Sequence, residues 1–517
     1  MFVIYSQIIR QSRTKRTLSA LSKSRCRKLC NRPKMMSRTV KALSKKVIWT
    51  PQPKQKIALS RGEDEGLYGG AAGGGKTDYL VVEAARQVNI PEYRGLILRR
   101  AVPDLARIID QTRAIYPSID RGARYNATTR VWTFSSDAQI KLGSLFRTNE
   151  KYKYQGQQYD FIGFDELTQF TFDEYSYLKS RNRGNCKATK VYMRSTANPG
   201  GVGHGWVKQY FVTAGTPGET IWLSDKVIMP DGTTKNYWSS KVFITASVFD
   251  NNALMNNDPD YVKRLAQLPE AERNALLYGS WDSFEGQVFT EWIDNREHYK
   301  DRRWTHVIEP FKIPQSWRII RSYDWGYTRP FSVGWTAVDQ DGRFYRIREL
   351  YGCKKNQPNT GVRWPIEKVA QEILAIENND PQIKGRQIYG VADPAIFAEQ
   401  GSGKSQAATH AQLGVFWNKG DNARLAGKMQ FHSRLAFDEE GYPMFQCFNT
   451  CTNFIRTIPN LVYSQIDTED IDTEGEDHIY DEQRYGFMTS IITPKEVVLR
   501  NARAFDPLNM SQTRYYR

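Results

Sequence analysis

Gly66-Leu67-Tyr68-Gly69-Gly70-Ala71-Ala72-Gly73-Gly74-Gly75-Lys76-Thr77 is the stretch whose reading decides the fold of the N-terminal half. It is followed by Tyr79, Leu80, Val82, Ala85 and Val88, apolar residues at helical spacing. The order is therefore strand, glycine loop, helix. Gly70, Gly75, Lys76 and Thr77 satisfy G-x-x-x-x-G-K-T, and each residue type has a mechanical reason. Glycines let backbone N–H groups wrap phosphates at a helix N-terminus, where the helix dipole also favours anions. Gly70, Gly73, Gly74 and Gly75 supply that cradle, Lys76 neutralises the β- and γ-phosphates of ATP, and Thr77 ligates Mg²⁺. The competing reading, a glycine-rich linker, leaves the Lys-Thr ending at a strand-to-helix junction unexplained.

Hydrolysis at such a loop needs an acidic pair at the end of a buried strand. Phe161-Ile162-Gly163-Phe164-Asp165-Glu166 supplies it, with Asp165 on the metal and Glu166 as general base. Strands are expected in between at Leu96–Leu98, Val131–Phe134 and Ile140–Leu142. A further strand, Val191-Tyr192-Met193-Arg194, runs into Ser195-Thr196-Ala197-Asn198-Pro199. That polar end is either a sensor of hydrolysis or a turn closed by Asn-Pro.

The loop, the Asp165-Glu166 pair and the Thr196-Ala197-Asn198-Pro199 segment together resemble the ATPase of the large terminase subunits of tailed bacteriophages. The resemblance implies that the third segment, with Asn198, couples hydrolysis to DNA movement. It also places Gln55, within Pro51-Gln52-Pro53-Lys54-Gln55, where adenine is read. Such motors use an arginine at the γ-phosphate. Arg99, Arg100 and Arg147 are the candidates, with Arg100 preferred.

Asp258-Pro259-Asp260-Tyr261 opens two short helices that stop at Gly279, and the polar run Asp294 to Arg303 puts a domain boundary near residue 310. Beyond it, Ile319–Asp324 reads as a strand ending in an acid. Strands Phe331–Val338 and Phe344–Leu350 follow, joined by a hairpin at Asp341-Gly342. A helix from Trp364 to Asn378 precedes the strand Ile388–Ala392, which delivers Asp393, and a late helix begins around Glu476-Asp477-His478-Ile479-Tyr480-Asp481. This order of acids is that of a ribonuclease-H-like nuclease, in which two Mg²⁺ or Mn²⁺ ions about 4 Å apart share several carboxylates. Asp324, Asp393 and Asp477 are the expected catalytic and metal-binding acids; Asp481, one turn later on the same helix face, is the rival for third place. Each alone also reads as a cap or turn residue. Gly401-Ser402-Gly403-Lys404-Ser405 is no second phosphate loop, because position 398 is Ala and no strand ends directly before it.

Length and composition agree with this division. At 517 residues the chain exceeds a single core, and its 40% hydrophobic and 13% aromatic content comes in short interrupted runs. None approaches the ~18 apolar residues of a membrane span. The net charge of +17 is a property of the start of the chain. Residues 1 to 62 carry seventeen Lys and Arg and no acid; removing them from the 73 basic residues leaves 56, against 56 Asp and Glu. Bulk charge is therefore no argument for nucleic-acid binding. The leader reads as a disordered tail, with a nucleic-acid arm and a targeting peptide as alternatives, and Met35 and Met36 are alternative start sites. Cys26, Cys30, Cys186, Cys353, Cys447 and Cys451 are too sparse for a disulfide framework, and no zinc-finger His pair follows either i, i+4 pair. The tail with Arg500, Arg503, Arg514 and Arg517 reads as a frayed end or a docking segment.

The expected architecture is α/β: a basic leader (1–46), a P-loop parallel-sheet motor domain (47–255), a helical linker (256–310), a ribonuclease-H-like mixed-sheet nuclease (311–495) and a tail (496–517). The resemblance implies an enzyme that hydrolyses ATP to translocate double-stranded viral DNA into a preformed capsid and cuts it with metal-bound acids. Its partners would be duplex DNA, the procapsid portal, a small terminase subunit and further copies in a pentameric ring. Its place would be the host cytoplasm, docked transiently on the portal and absent from the mature virion. A P-loop helicase-nuclease or repair ATPase is the alternative, and a regulatory nucleotide-binding protein with an inactive nuclease fold is the third class.

Overall fold

The computed structural model describes residues 49–491, apart from 185, 283, 285, 356, 400–402, 465, 466 and 468. The leader with Cys26, Cys30, Met35 and Met36, the residues Gly401-Ser402 and the C-terminal tail lie outside the described residues. The chain forms two compact units, one up to Gln287 with Asn356–Asn359, and one from Val288 onward.

In the first unit the described residues build a nine-stranded sheet in the order β3-β4-β5-β2-β6-β7-β1-β9-β8. The strands are β1 Glu65–Gly70, β2 Arg94–Arg99, β3 Arg124–Asn126, β4 Val131–Thr133, β5 Gln139–Ser144, β6 Phe161–Phe164, β7 Tyr192–Ala197, β8 Ile221–Ile228 and β9 Thr234–Ala246. From β5 to β9 every neighbouring pair is parallel. A parallel sheet is covered on both faces, and the sequence answers with continuous apolar strands whose side chains alternate between two cores. Ile97 and Phe161 enter one core with Leu80, while Leu96, Leu98, Ile162 and Phe164 enter the other with Leu67. β6, β7 and β1 are adjacent and parallel, so the residues that follow each of them gather at one sheet edge.

The helices Asn252–Asn257, Tyr261–Ala266 and Glu270–Leu276 close round Val248, Leu265 and Leu277. They pack on the glycine loop: a Cβ on Gly73 would lie 2.8 Å from Leu254 and 2.9 Å from Tyr261, and Leu276 O accepts from Ala72 N at 2.7 Å. This cluster belongs to the first unit. Val288, Phe289, Val307 and Ile308, all before residue 310, are buried in the second core.

The second unit holds a seven-stranded mixed sheet among the described residues, in the order β10-β16-β13-β12-β11-β14-β15. Its strands are β10 Val307–Ile308, β11 Arg318–Asp324, β12 Ser332–Val338, β13 Phe344–Tyr351, β14 Ile388–Ala392, β15 Asn418–Lys419 and β16 Phe445–Phe448. β11, β12 and β13 form an antiparallel meander, and its hairpin turns at Gly342 with φ 80°. β14 lies parallel to β11 on the other side. The helix His478–Met488 is fastened to this unit by Phe487, whose ring is 5.3 Å from Phe344, 4.7 Å from Phe431 and 5.2 Å from Phe445.

Candidate functional site

At the edge of the first sheet, β1 ends at Gly70, where a Cβ would stand 2.5 Å from Ala246 O of β9. Gly73 and Gly75 have φ of 73° and 71°, a region that favours glycine. The helix Lys76–Ala84 then starts at Gly75 with no side-chain cap, which leaves its first N–H groups to an anion. Lys76 is buried with Nζ donating to Ala71 O. Burial draws its pKa down to about 8 against the pull of Glu166 and Asp165, a deficit that a polyphosphate would reverse.

Thr77 Oγ1 stands 3.4 Å from both carboxylate oxygens of Asp165, and Thr196 Oγ1 donates to Asp165 Oδ1 at 2.6 Å. Three chain segments thereby converge on one carboxylate. Glu166 has a left-handed backbone, φ 59°, a conformation costly for a non-glycine residue and concentrated at functional sites. Its carboxylate accepts from Asn198 N at 3.1 Å and Asn198 Nδ2 at 3.0 Å. Burial, then the neighbouring Asp165, raise its pKa above the ordinary value, as a general base requires.

Arg99 points its Nη1 at Asp165 (3.3 Å) and Glu166 (3.7 Å). Its Nε and Nη1 are buried without a hydrogen-bond acceptor among the described residues. Arg100 instead donates to both oxygens of buried Glu174, at 2.7 and 2.9 Å. The structure thus places Arg99, and not the preferred Arg100, beside the acidic pair, since consecutive residues leaving a strand face opposite ways. Arg147 is exposed on the turn after β5. Gln55 is buried, and its Nε2 donates to Gly75 O at 2.8 Å while its Oε1 accepts from Gln52 N at 2.7 Å. It braces the loop, a role the sequence reading missed.

In the second unit, Asp324 ends β11 and Asp393 follows β14, with Asp393 N donating to Tyr323 O at 2.9 Å. Asp393 Oδ1 accepts from Ala395 N at 2.9 Å, so this acid also caps its own turn. Asp477 stands at the N-cap of the helix His478–Met488 and is buried. His478 Nδ1 lies 3.2 Å from Asp324 Oδ2 and 4.0 Å from Asp477 Oδ1. Asp481 is held by Arg484 Nε at 3.0 Å and Arg424 Nη1 at 3.2 Å.

These acids share one field. Burial, then Asp481 and Asp393, push the Asp324 carboxyl well above the usual range. Burial and Asp481 raise Asp477 to about 7. Tyr485 feels Asp324, Asp393 and Asp481 together after the effect of its own burial. Crowded buried carboxylates of this kind are what a divalent cation relieves. Among the described residues, however, no three His, Cys, Asp or Glu side chains stand close enough to form a ready-made metal site; Asp481 is held by Arg424 and Arg484, and Asp393 Oδ1 caps its own turn. Sequence reasoning missed His478 and Arg424. His478 was visible between the two rival acids; Arg424, far away in sequence, carried no signal.

Residues 67–293 match the family model described as terminase large subunit, T4likevirus-type, N-terminal. No curated protein sequence matches the chain. Among solved structures, the large terminase of bacteriophage HK97 is similar at 9% identity and TM-score 0.44, over 86% of this chain and 95% of that one. That of a thermophilic bacteriophage is similar at 16% identity and TM-score 0.36, over 85% and 99%. The P22 large terminase nuclease domain is similar at 18% identity and TM-score 0.30, over 40% and 92%.

Proposed function

We propose, for a chain whose residues 67–293 match the family model described as terminase large subunit, T4likevirus-type, N-terminal, that the first unit hydrolyses ATP to drive duplex DNA into a preformed capsid and the second unit cuts that DNA. The observation that carries the reading is the convergence of loop, Asp165-Glu166 and Asn198 at the ends of three adjacent parallel strands. In open α/β sheets ligands bind at that edge.

Gly70, Gly73, Gly74, Gly75 and Lys76 hold the phosphates, and Gln55 keeps the loop in shape beside the adenine position. Thr77 and Asp165 would hold Mg²⁺, which neutralises phosphate charge. Glu166 takes the proton of the attacking water, Arg99 meets the charge that develops on the γ-phosphate, and Asn198 registers whether Glu166 is engaged. In the second unit, Asp324 and Asp393, with Asp481 as third acid and Asp477 behind it, would hold Mg²⁺ or Mn²⁺, which makes water nucleophilic and stabilises the leaving oxygen. His478 orients the Asp324 carboxylate.

The portal of the procapsid, a small terminase subunit and further copies of the chain in a ring are the partners this reading requires, and the host cytoplasm is where they would meet. No helix among the described residues is long and apolar enough to cross a membrane. The test is packaging itself: purified chain, linear duplex DNA, ATP and empty capsids, scored by nuclease-protected DNA. Protected DNA that requires ATP and vanishes with Glu166→Gln supports the reading. Brisk ATP hydrolysis with no protected DNA would sink it.

A further inference from the structure

Beyond β7 the chain runs Asn198-Pro199-Gly200-Gly201-Val202-Gly203-His204. Asn198 clasps Glu166 at its start. Gly200 and Gly201 follow with φ of 107° and 88°, a pair able to swivel where other residues would be strained. The far side is pinned: a Cβ on Gly201 would lie 2.7 Å from Thr168 O, Gly203 N donates to Thr168 O at 2.7 Å, and Thr168 Oγ1 donates to Asn198 O at 2.9 Å.

His204 closes this segment and is fully buried. Its Nδ1 accepts from Gly200 N at 2.9 Å. The proton therefore resides on Nε2, which donates to Trp281 O at 3.1 Å. The ring stacks on Phe284 at 3.9 Å. Burial draws its pKa down to about 3, so the imidazole stays neutral and keeps this tautomer. Just before Trp281, Gly279 packs on the glycine loop, where a Cβ would meet Ala71 N at 2.7 Å. Gly279 is thus set against the phosphate loop, and Trp281 and Phe284 against His204, and the chain enters the second unit at Val288.

We propose that His204 is a positioning residue that transmits the state of the Glu166–Asn198 clasp to the segment carrying Trp281 and Phe284, the segment through which the chain continues toward its second unit. The proposal rests on the ATP-hydrolysing reading of the first unit. When the γ-phosphate is lost, Glu166 and Asn198 reorganise, the Gly200-Gly201 swivel turns, and the Gly200 N–H carries the imidazole with it. Both ring nitrogens are engaged, so the ring cannot move without shifting Trp281 O. Such coupling needs a demonstrated element that responds at both ends, and that response is measurable.

Hydrogen exchange of the full chain is followed by mass spectrometry with and without a non-hydrolysable ATP analogue and Mg²⁺. In wild type, the analogue protects the peptide containing Lys76 and changes exchange in the peptide containing Trp281. His204→Asn keeps an acceptor for Gly200 N–H but does not reach Trp281. It is expected to bind the analogue with unchanged Kd, retain protection at Lys76 and lose the response at Trp281. His204→Gln, which restores a donor near the Nε2 position, is expected to recover part of that response. An undiminished response in His204→Asn overturns the relay. Should His204→Asn not fold, Phe284→Leu, which leaves both imidazole hydrogen bonds in place, carries the test: a weakened response supports the relay and an unchanged one overturns it. Absence of protection at Lys76 in wild type overturns the nucleotide reading instead.

Discussion

One step along a strand separates Arg99 from Arg100 and sends their guanidinium groups to different carboxylates. Arg99→Ala is expected to lower the turnover of ATP by about 10³-fold with little change in nucleotide affinity, the scale of a lost γ-phosphate arginine. Arg100→Ala strips a buried carboxylate of its partner and is expected to cost about 2–3 kcal/mol of stability while sparing turnover. Steady-state kinetics beside urea denaturation separates the two; equal kinetic losses would refute the assignment. Lys241 offers a pH-dependent case. It is buried with Nζ 3.6 Å from the centre of the Tyr210 ring, and burial lowers its pKa to about 8 despite the attraction of Glu65. A lysine depressed in the folded state penalises folding below that value, and the penalty is relieved as pH rises from about 8 toward the unfolded value near 10.5. Across that window the wild type is expected to gain stability relative to Lys241→Met in paired denaturation curves, and a flat difference would contradict the assignment.

The helix His478–Met488 is the element on which the second site depends, and it is docked by charge as well as by rings. Arg346 and Glu482 form a fully buried pair at 2.8 Å, and Ser332 donates to Glu482 at 3.0 Å. Gly334 makes room for them, since a Cβ there would stand 2.3 Å from both Arg346 Nη1 and Glu482 Oε1. Breaking such a pair leaves an uncompensated buried charge, whereas replacing both partners by apolar groups is often neutral. Glu482→Leu alone is expected to destabilise by about 3–5 kcal/mol, and Arg346→Met with Glu482→Leu to recover most of that. Equal losses in single and double variants, read by denaturation, would rule out this account. The phase of the helix also orders the two rival acids. Tyr485 lies in the field of Asp324, Asp393 and Asp481, and among carboxylates Asp481 acts most strongly on Asp324. Asp481→Asn is therefore expected to reduce Mn²⁺-dependent plasmid cleavage more than Asp477→Asn does, and the reverse order would return Asp477 to third place.

At the scale of the whole chain, what could be read from sequence was what is encoded locally. The glycine loop, the Asp165-Glu166 pair, the meander with its Asp341-Gly342 turn and the α/β class all follow from a few consecutive residues and their period. What escaped depends on distant partners: Gln55 bracing Gly75, Arg99 rather than Arg100 at the acidic pair, Arg424 on Asp481, and the helices after Asn251 resting on Gly73. Composition misled as well, because the +17 excess lies in residues 1 to 62 and not in the rest of the chain. The remaining expectation concerns independence. The phosphate cradle and the carboxylate cluster are built by separate sheets in separate compact units, each with its own core. Each centre draws its charged groups from within its own unit. Lys76→Ala should therefore abolish ATP hydrolysis yet leave Mn²⁺-dependent plasmid cleavage within about 2-fold of wild type, and Asp324→Asn should do the converse, since changes at sites without shared partners act independently. If either substitution silences both activities in a chain that still melts like wild type, the two centres are one machine at the level of chemistry, and their assignment to separate units is wrong.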